Sequence, residues 1–302
     1  MKAPQHKYLR VEDLRRLKHL LFASRRPVQG RFAGRHASPQ RGQSLEFIDY
    51  RSYMPGDEVG DIDWKVFGRT DKLFVKRFEH TTNMTCHLLV DASASMGFAG
   101  LEERGDTKYD HACRLAAAVA FLVTQQQDAV SLAIAQEGLA EVHRPGQAYR
   151  HLLGMLEALE KTQPGGEAKL AEAIMQRITQ LPRRGLLVVV SDLLAPPEPI
   201  LAAMGQFVAR GGEASVFHVL HDEELHLPEH ENVLLVDSET QQELPVHFGD
   251  VRKAYQHRMK TLLDTWKAGC TARRIDYHLA PSSQDYIRVL EQYLLSRAAV
   301  RG

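Results

Sequence analysis

The stretch that most constrains this chain is Cys86–Gly97, CHLLVDASASMG, in which the apolar run His87 to Val90 ends in Asp91-x-Ser93-x-Ser95. A short apolar run bounded by small and polar residues predicts a buried strand, and a helical pattern resumes near Lys108. The D-x-S-x-S then falls at the strand's carboxyl end, the edge where open α/β sheets bind ligands because the connecting loops converge there. One carboxylate and two hydroxyls within five residues suit a hard cation, since magnesium takes oxygen ligands in octahedral geometry and keeps some waters. Neutral hydroxyls leave most of the metal's charge uncancelled, so an open coordination position favours a partner's carboxylate. The same residue types also form turns and helix N-caps with no metal at all. Taken alone, five residues favour that plainer reading. The second run Gly185–Leu193, GLLVVVSDL, ends in Ser191-Asp192. It predicts a parallel neighbour bringing Asp192 beside Asp91, and two such strand ends favour the cation.

Length and composition set the class. The 302 residues are 44% hydrophobic and 25% charged, enough to bury a full core in one large or two smaller domains. The longest apolar stretch, Leu115–Val123, is too short to span a bilayer, and the start MKAPQHKYLRVEDLRR lacks an apolar signal core. A cytoplasmic location is expected. Cys86, Cys113 and Cys270 are scattered and never in C-x-x-C spacing, so buried reduced thiols are expected.

Net charge is zero, yet residues 1–42 hold eleven Lys or Arg against Glu12 and Asp13, leaving the remainder nine charges negative. Such asymmetry marks either an arm for nucleic acid or a membrane surface, or a basic segment docked on an acidic body. Only Tyr8, Phe22 and Phe32 interrupt the charges, which weakens the nucleic-acid reading.

In order, Val11–Arg25 predicts an amphipathic helix ended by Pro27, and residues 27–44 an irregular loop. From Leu45 the pattern shortens to strands and turns, with Pro55-Gly56-Asp57 as a turn and Lys72–Phe78 as a strand. The acids Asp57, Glu58, Asp61 and Asp63 lack calcium-loop spacing and predict a solvated or arginine-paired loop, with Arg51 and Arg69 available.

Helices are expected over Lys108–Gln127, Gln147–Lys161, Leu170–Leu181, Pro196–Arg210, Asp250–Ala268 and Gln284–Ala298. Strands are expected over Ala129–Ala135, Glu141–Arg144, Ala214–Leu220 and Ile275–Leu279, with a hairpin from Asn232–Asp237 and Glu243–Phe248. This alternation predicts a mostly parallel sheet with helices on both faces. His218, His221, His226 and His230 share no helix face and do not predict a zinc site.

A resemblance runs through these residues. Glu46-Phe47, Asp49, Arg51, Tyr53, Pro55-Gly56-Asp57, Ile62-Asp63-Trp64 and Arg69, followed by Asp91-x-Ser93-x-Ser95-Met96, resemble the bacterial domain of unknown function 58 family over roughly Arg41 to Arg297. The resemblance implies a Rossmann-like von Willebrand factor A fold, a small β-rich element before it, and a MoxR-type AAA+ ATPase as partner. The expected organisation is a basic segment 1–42, a family-specific element 43–82 and a von Willebrand A-like domain 83–302.

Two departures stand out. Gly60-Asp61 replaces basic residues common before I-D-W. The metal-ion-dependent adhesion site of von Willebrand A domains also expects a Thr in a Gly-Gly-Thr-like loop, where this chain reads Pro164-Gly165-Gly166-Glu167-Ala168-Lys169-Leu170. Glu167 offers an oxygen instead, and Lys169 an ammonium that would oppose a cation.

Enzymatic motifs are missing: no G-x-S-x-G elbow, no phosphate loop, and no G-x-G-x-x-G after a strand. The leading expectation is a non-enzymatic adaptor in which Asp91, Ser93, Ser95 and Asp192 hold Mg²⁺, or Mn²⁺ or Ca²⁺, directly or through water. The metal would recruit an acidic group of a client or of the MoxR-type ATPase. The alternatives are a metal-free docking scaffold of the same fold and a hydrolase using the cation to activate water.

Overall fold

The computed structural model describes residues 6–20, 44–54, 60, 62–81, 84–100, 105–167, 169–227, 232–236 and 243–299. The chain divides into two compact units, Met1–Ala23 with Met84–Gly302, and Ser24–Asn83. Pro55, Gly56, Asp57, Glu58 and Asp61 lie outside the described residues, as do Pro27, Ala168 and His230.

The first helix, α1, spans Val11–Leu17 and ends at Lys18, well short of the predicted Arg25. Residues after Leu20 lie outside the described region up to Ser44. In the smaller unit, β1 (Ser44–Ser52) leads through α2 (Trp64–Thr70) to β2 (Phe74–Thr81). The two strands pair antiparallel, with a register shift between Phe47 and Asp49.

The larger unit continues with β3 (Thr85–Asp91), a short 3₁₀ turn at Ala94–Gly97 and α3 (Lys108–Gln125). Next come β4 (Ala129–Ala135), β5 (Leu139–Gly146), α4 (Tyr149–Lys161) and α5 (Leu170–Gln180). β6 (Leu186–Ser191), α6 (Pro197–Ala209), β7 (Glu213–Leu220) and α7 (Asp222–Leu225) follow. The chain ends with β8 (Asn232–Val236), β9 (Glu243–His247), α8 (Phe248–Ala272), β10 (Ile275–Pro281) and α9 (Tyr286–Ala299).

Six strands form one sheet in the order β10-β7-β6-β3-β4-β5. All neighbours are parallel except β5, which runs antiparallel on the edge and is longer than the predicted Glu141–Arg144. The predicted hairpin is present as the antiparallel pair β8 and β9.

Strand alternation divides the core in two. Leu88, Val90, Val188 and Val190 pack with α3, α4 and α9 residues such as Leu115, Leu156 and Leu290. Leu89, Leu187 and Val189 pack on the other face with Ile174, Met204 and Trp266 of α5, α6 and α8. Both faces of the central strands are covered, which is why they read as continuous apolar runs rather than alternating ones. Gly185 lets β6 begin tight against β3: at φ +145°, a Cβ there would lie 2.8 Å from the Thr85 carbonyl oxygen.

The basic amino terminus is docked within this unit. Lys7 Nζ and the Tyr8 hydroxyl both donate to Asp110 Oδ1, at 2.7 and 2.9 Å, and Arg16 pairs with Asp285 at 2.6 Å. For residues 6–20, the charge asymmetry is an internal match between a basic strap and acidic helix ends. All three cysteines are free and buried.

Candidate functional site at the carboxyl edge of the sheet

Parallel pairing of β3 with β6 places the two strand ends side by side, as the two apolar runs predicted. Asp91 and Asp192 are both buried there. Each Asp91 oxygen already has a partner. Oδ1 accepts the Ser93 backbone N–H at 2.9 Å, and Oδ2 accepts the Ser191 hydroxyl at 2.5 Å. Ser191 Oγ in turn accepts the Leu193 N–H at 2.9 Å, which holds the loop after β6 in a tight turn. Leu193 sits in the left-handed region at φ +54° with its side chain buried, a conformation a non-glycine residue adopts only when its surroundings impose it.

Burial first, and the neighbouring Asp192 second, push Asp91 up to about 6 against the pull of the Ser191 and Ser93 hydrogen bonds. A carboxylate buried beside another is costly to ionise without a cation.

The loop that departs from the expected Gly-Gly-Thr is fastened to the same edge through its backbone. Gly165 N–H donates to the Ala92 carbonyl and Gly166 carbonyl accepts from Ala94 N–H, each at 2.9 Å. Gly166 adopts φ +65°, where a Cβ would press on the Glu137 side chain. The side chains of Glu167 and Lys169 are exposed. Neither side chain bonds Asp91, Ser93, Ser95 or Asp192 among the described residues, so the sequence's two candidates for the missing threonine are not brought into this network.

The cation that reaches the site comes from elsewhere. Lys108 is fully buried, and its ammonium donates to Asp192 Oδ2 at 2.8 Å and to Glu224 Oε1 at 2.7 Å. Thr107 and Asp110 explain its position. Their reciprocal capping bonds, at 3.0 and 3.1 Å, start α3 so that Lys108 occupies its first turn. Glu224 is held by its second oxygen on the His221 N–H at 2.8 Å, and its carbonyl accepts the Tyr255 hydroxyl at 2.7 Å. Burial works against the ammonium, but Asp192 and Glu224 outweigh it and hold Lys108 above the usual lysine range.

Sequence reasoning missed Lys108 because its partners lie 84 and 116 residues away. The local signal was the Thr107-x-x-Asp110 box, which predicts a helix start but no partner for the lysine inside it.

Fit to a divalent ion is partial. Ser93 Oγ and Ser95 Oγ are 3.1 Å apart, close to the separation of two adjacent ligands about 2.1 Å from an octahedral magnesium. The remainder of the set does not fit. The threonine is absent, Asp192 is bonded to an ammonium, and both Asp91 oxygens are engaged by protein donors. Among the described residues no group of three or more His, Cys, Asp or Glu could hold a metal. What weakens the fit is the missing threonine and the ammonium on Asp192.

The histidines have structural partners. His218 Nδ1 lies 2.8 Å from the Tyr277 hydroxyl, and His221 caps α7. Burial lowers His218 to about 4 and keeps it neutral.

The family motif lies in the smaller unit. Asp63, expected in a solvated or arginine-paired loop, is buried and caps α2, accepting from Lys65 N–H at 2.9 Å, Val66 N–H at 3.3 Å and the Tyr50 hydroxyl at 3.1 Å. A short polar side chain before a helix satisfies its orphan amides, so burial costs it little. Trp64 follows at 57% exposure, in an edge-on contact with Phe67. Tyr53 N–H bonds the Leu73 carbonyl at 3.0 Å; Arg51 lies on β1 and Arg69 is exposed on α2.

The family model described as "Protein of unknown function DUF58" matches residues 49–262, more than half of the chain. The chain is a DUF58 protein. It is 30% identical over 233 residues to the uncharacterized protein Rv1480 of Mycobacterium tuberculosis, an alignment covering 74% of the DUF58 chain and 70% of that protein. The uncharacterized protein Mb1516 of Mycobacterium bovis matches to the same extent.

Solved structures with a similar chain course include BatB from Bacteroides thetaiotaomicron, at TM-score 0.45 and 14% identity over 72% of this chain and 99% of BatB. The VWA domain of SpRpn10 is similar at TM-score 0.42 and 11% identity, over 73% of this chain and 98% of that domain. In this DUF58 protein the D-x-S-x-S stands at the carboxyl end of a central parallel strand.

Proposed function

We propose that this protein is a non-enzymatic interaction module that docks other proteins through the carboxyl edge of its sheet. It would work as an adaptor for a MoxR-type AAA+ ATPase in assembling or remodelling a client, the partnership that the family resemblance implies. The observation that carries this reading is the convergence of three loops, residues 92–98, 164–167 and 191–194, tied by hydrogen bonds to one another and to Asp91. Leu194 stands out from it, 53% exposed beside the buried Asp192 and Leu193. A rigid platform with an exposed apolar residue over a desolvated polar base suits protein docking.

Catalysis has less support. Ser93 and Ser95 bond each other, and the carboxylate beside Ser93, that of Asp91, is buried and already accepts from the Ser93 N–H and the Ser191 hydroxyl. Ser191 does meet a carboxylate, but it is fully buried out of reach of a substrate.

The test is capture of the MoxR-type ATPase encoded in the same genome by the full chain, wild type against Leu194→Asp. Loss of capture with an unchanged melting temperature is expected. Equal capture by both proteins would move the docking surface elsewhere, to the exposed Trp64 region of the smaller unit first.

A further inference from the structure

We propose that Lys108 is this site's own cation: its ammonium stands where a divalent ion would balance the second carboxylate, so the site works without metal. The proposal rests on the docking reading above for what the site does, but not for its chemistry.

Three observations lead to it. Lys108 is fully buried and bonded to two carboxylates, Asp192 at 2.8 Å and Glu224 at 2.7 Å. It sits at the amino-terminal end of α3, where the helix's exposed N–H groups already favour negative charge. A lysine placed there gains nothing from its helix and is held by the acids from the other loops.

The donor set completes the argument. The metal site expected from D-x-S-x-S counted on Asp192 and on a further hydroxyl from the Gly-Gly loop. Here the loop supplies only backbone atoms, and the aspartate is taken. A divalent ion beside Asp192 would face an ammonium of like sign bonded directly to the same carboxylate. Tethering the charge also removes any dependence on the metal supply, and it links β6, α3 and α7 through one side chain.

The experiment uses the full chain and Mn²⁺ as the probe, with binding read by electron paramagnetic resonance and by the shift in melting temperature. Wild type should leave Mn²⁺ free at millimolar concentration. Lys108→Met should melt at lower temperature and, with Asp192 released, gain a Mn²⁺-dependent rise in melting temperature that Lys108→Met/Asp192→Asn lacks. Mn²⁺ bound by wild type and released by Ser93→Ala would overturn the proposal. So would a folded Lys108→Met that gains no Mn²⁺ response. Should Lys108→Met not fold, the wild-type and Ser93→Ala titrations still decide.

Partner capture in the presence of a chelator separates this proposal from the docking reading. Capture that survives chelation supports both, and capture that requires Mg²⁺ overturns only the tethered cation. A wild type that binds neither Mn²⁺ nor partner overturns only the docking reading.

Discussion

Two buried cations stand at opposite edges of the same sheet. Lys108 bonds Asp192 and Glu224, which follow the carboxyl ends of β6 and β7. Arg297 bonds Glu213 at 2.6 Å and lies 3.8 Å from Asp276, residues that open β7 and β10 at the amino edge. Both side chains are fully buried, and each meets two carboxylates. They differ in what their helices do. Arg297 lies in the last turn of α9, where the helix's free carbonyls favour a cation, and it also packs against the Tyr293 ring. Lys108 lies in the first turn of α3, against that preference. The amino-edge cluster is explained by fold stability alone, whereas the carboxyl-edge cluster needs the loops around it. A buried ion pair thus does not mark a functional site; its place on the sheet and the absence of support from its own helix do.

The largest expected effect tests whether the clusters are alike in kind. Removing the cation from either leaves two carboxylates without a partner, so Arg297→Met and Lys108→Met should each cost about 3–5 kcal/mol in urea unfolding, nearer the lower figure because Glu213, Asp276 and Glu224 keep some solvent contact. Restoring the cluster's original net charge sharpens the test. Arg297→Met/Glu213→Gln should recover part of the loss, and its stability should not respond to divalent ions. An Arg297→Met protein as stable as wild type would remove the structural explanation of the amino edge.

A second effect, on the order of 3 kcal/mol at most, belongs to the carboxyl edge alone. Asp91 is raised from 3.8 to about 6, by burial first and then by Asp192. The folded state therefore binds this proton more tightly than the unfolded chain does. Stability from this group is greatest below 3.8 and is lost as pH rises toward about 6. Urea midpoints measured across that window should fall for wild type relative to Asp91→Asn. Parallel profiles for the two proteins would mean that Asp91 is ionised normally and that the site is better solvated than its burial implies.

The smallest effects belong to the basic strap on the body's surface. Tyr8→Phe removes a buried hydroxyl from Asp110 and should cost about 1 kcal/mol. Arg16→Ala breaks a half-exposed pair with Asp285 and should cost less than about 1 kcal/mol, a difference that vanishes at high salt. A strap loss as large as that of Arg297→Met would place residues 6–20 among the principal stabilising contacts.

Much of this was legible in one dimension. The runs Leu88–Val90 and Leu186–Val190 are apolar at every position because both faces of their strands are buried, and with the alternation of strands and helices they predicted a parallel sheet between two helical layers. The Ser-Asp ends then placed Asp91 and Asp192 together, since parallel neighbours present the same end to the same edge. Helix α1 was less legible: three leucines at helical spacing extended the expected helix to Arg25, yet it stops at Leu17, and Leu20 turns back to bond the Leu17 carbonyl at 2.9 Å. Asp63 likewise looked like part of a solvated acidic run, and only its neighbours on β2 and α2 made it a buried cap.

By itself the sequence determined the order of the elements, the two-faced core and the meeting of the two aspartates, because each follows from local periodicity and strand polarity. Only the tertiary structure decided what balances the charge of Asp192. Hydrogen bonds to Lys108 depend on three chain segments arriving at one point, and a salt bridge has no periodicity to announce it. The sequence directed attention to Glu167 and Lys169 because they stood where a threonine was expected, whereas the fold brought in a lysine from the first turn of the helix that follows the D-x-S-x-S loop.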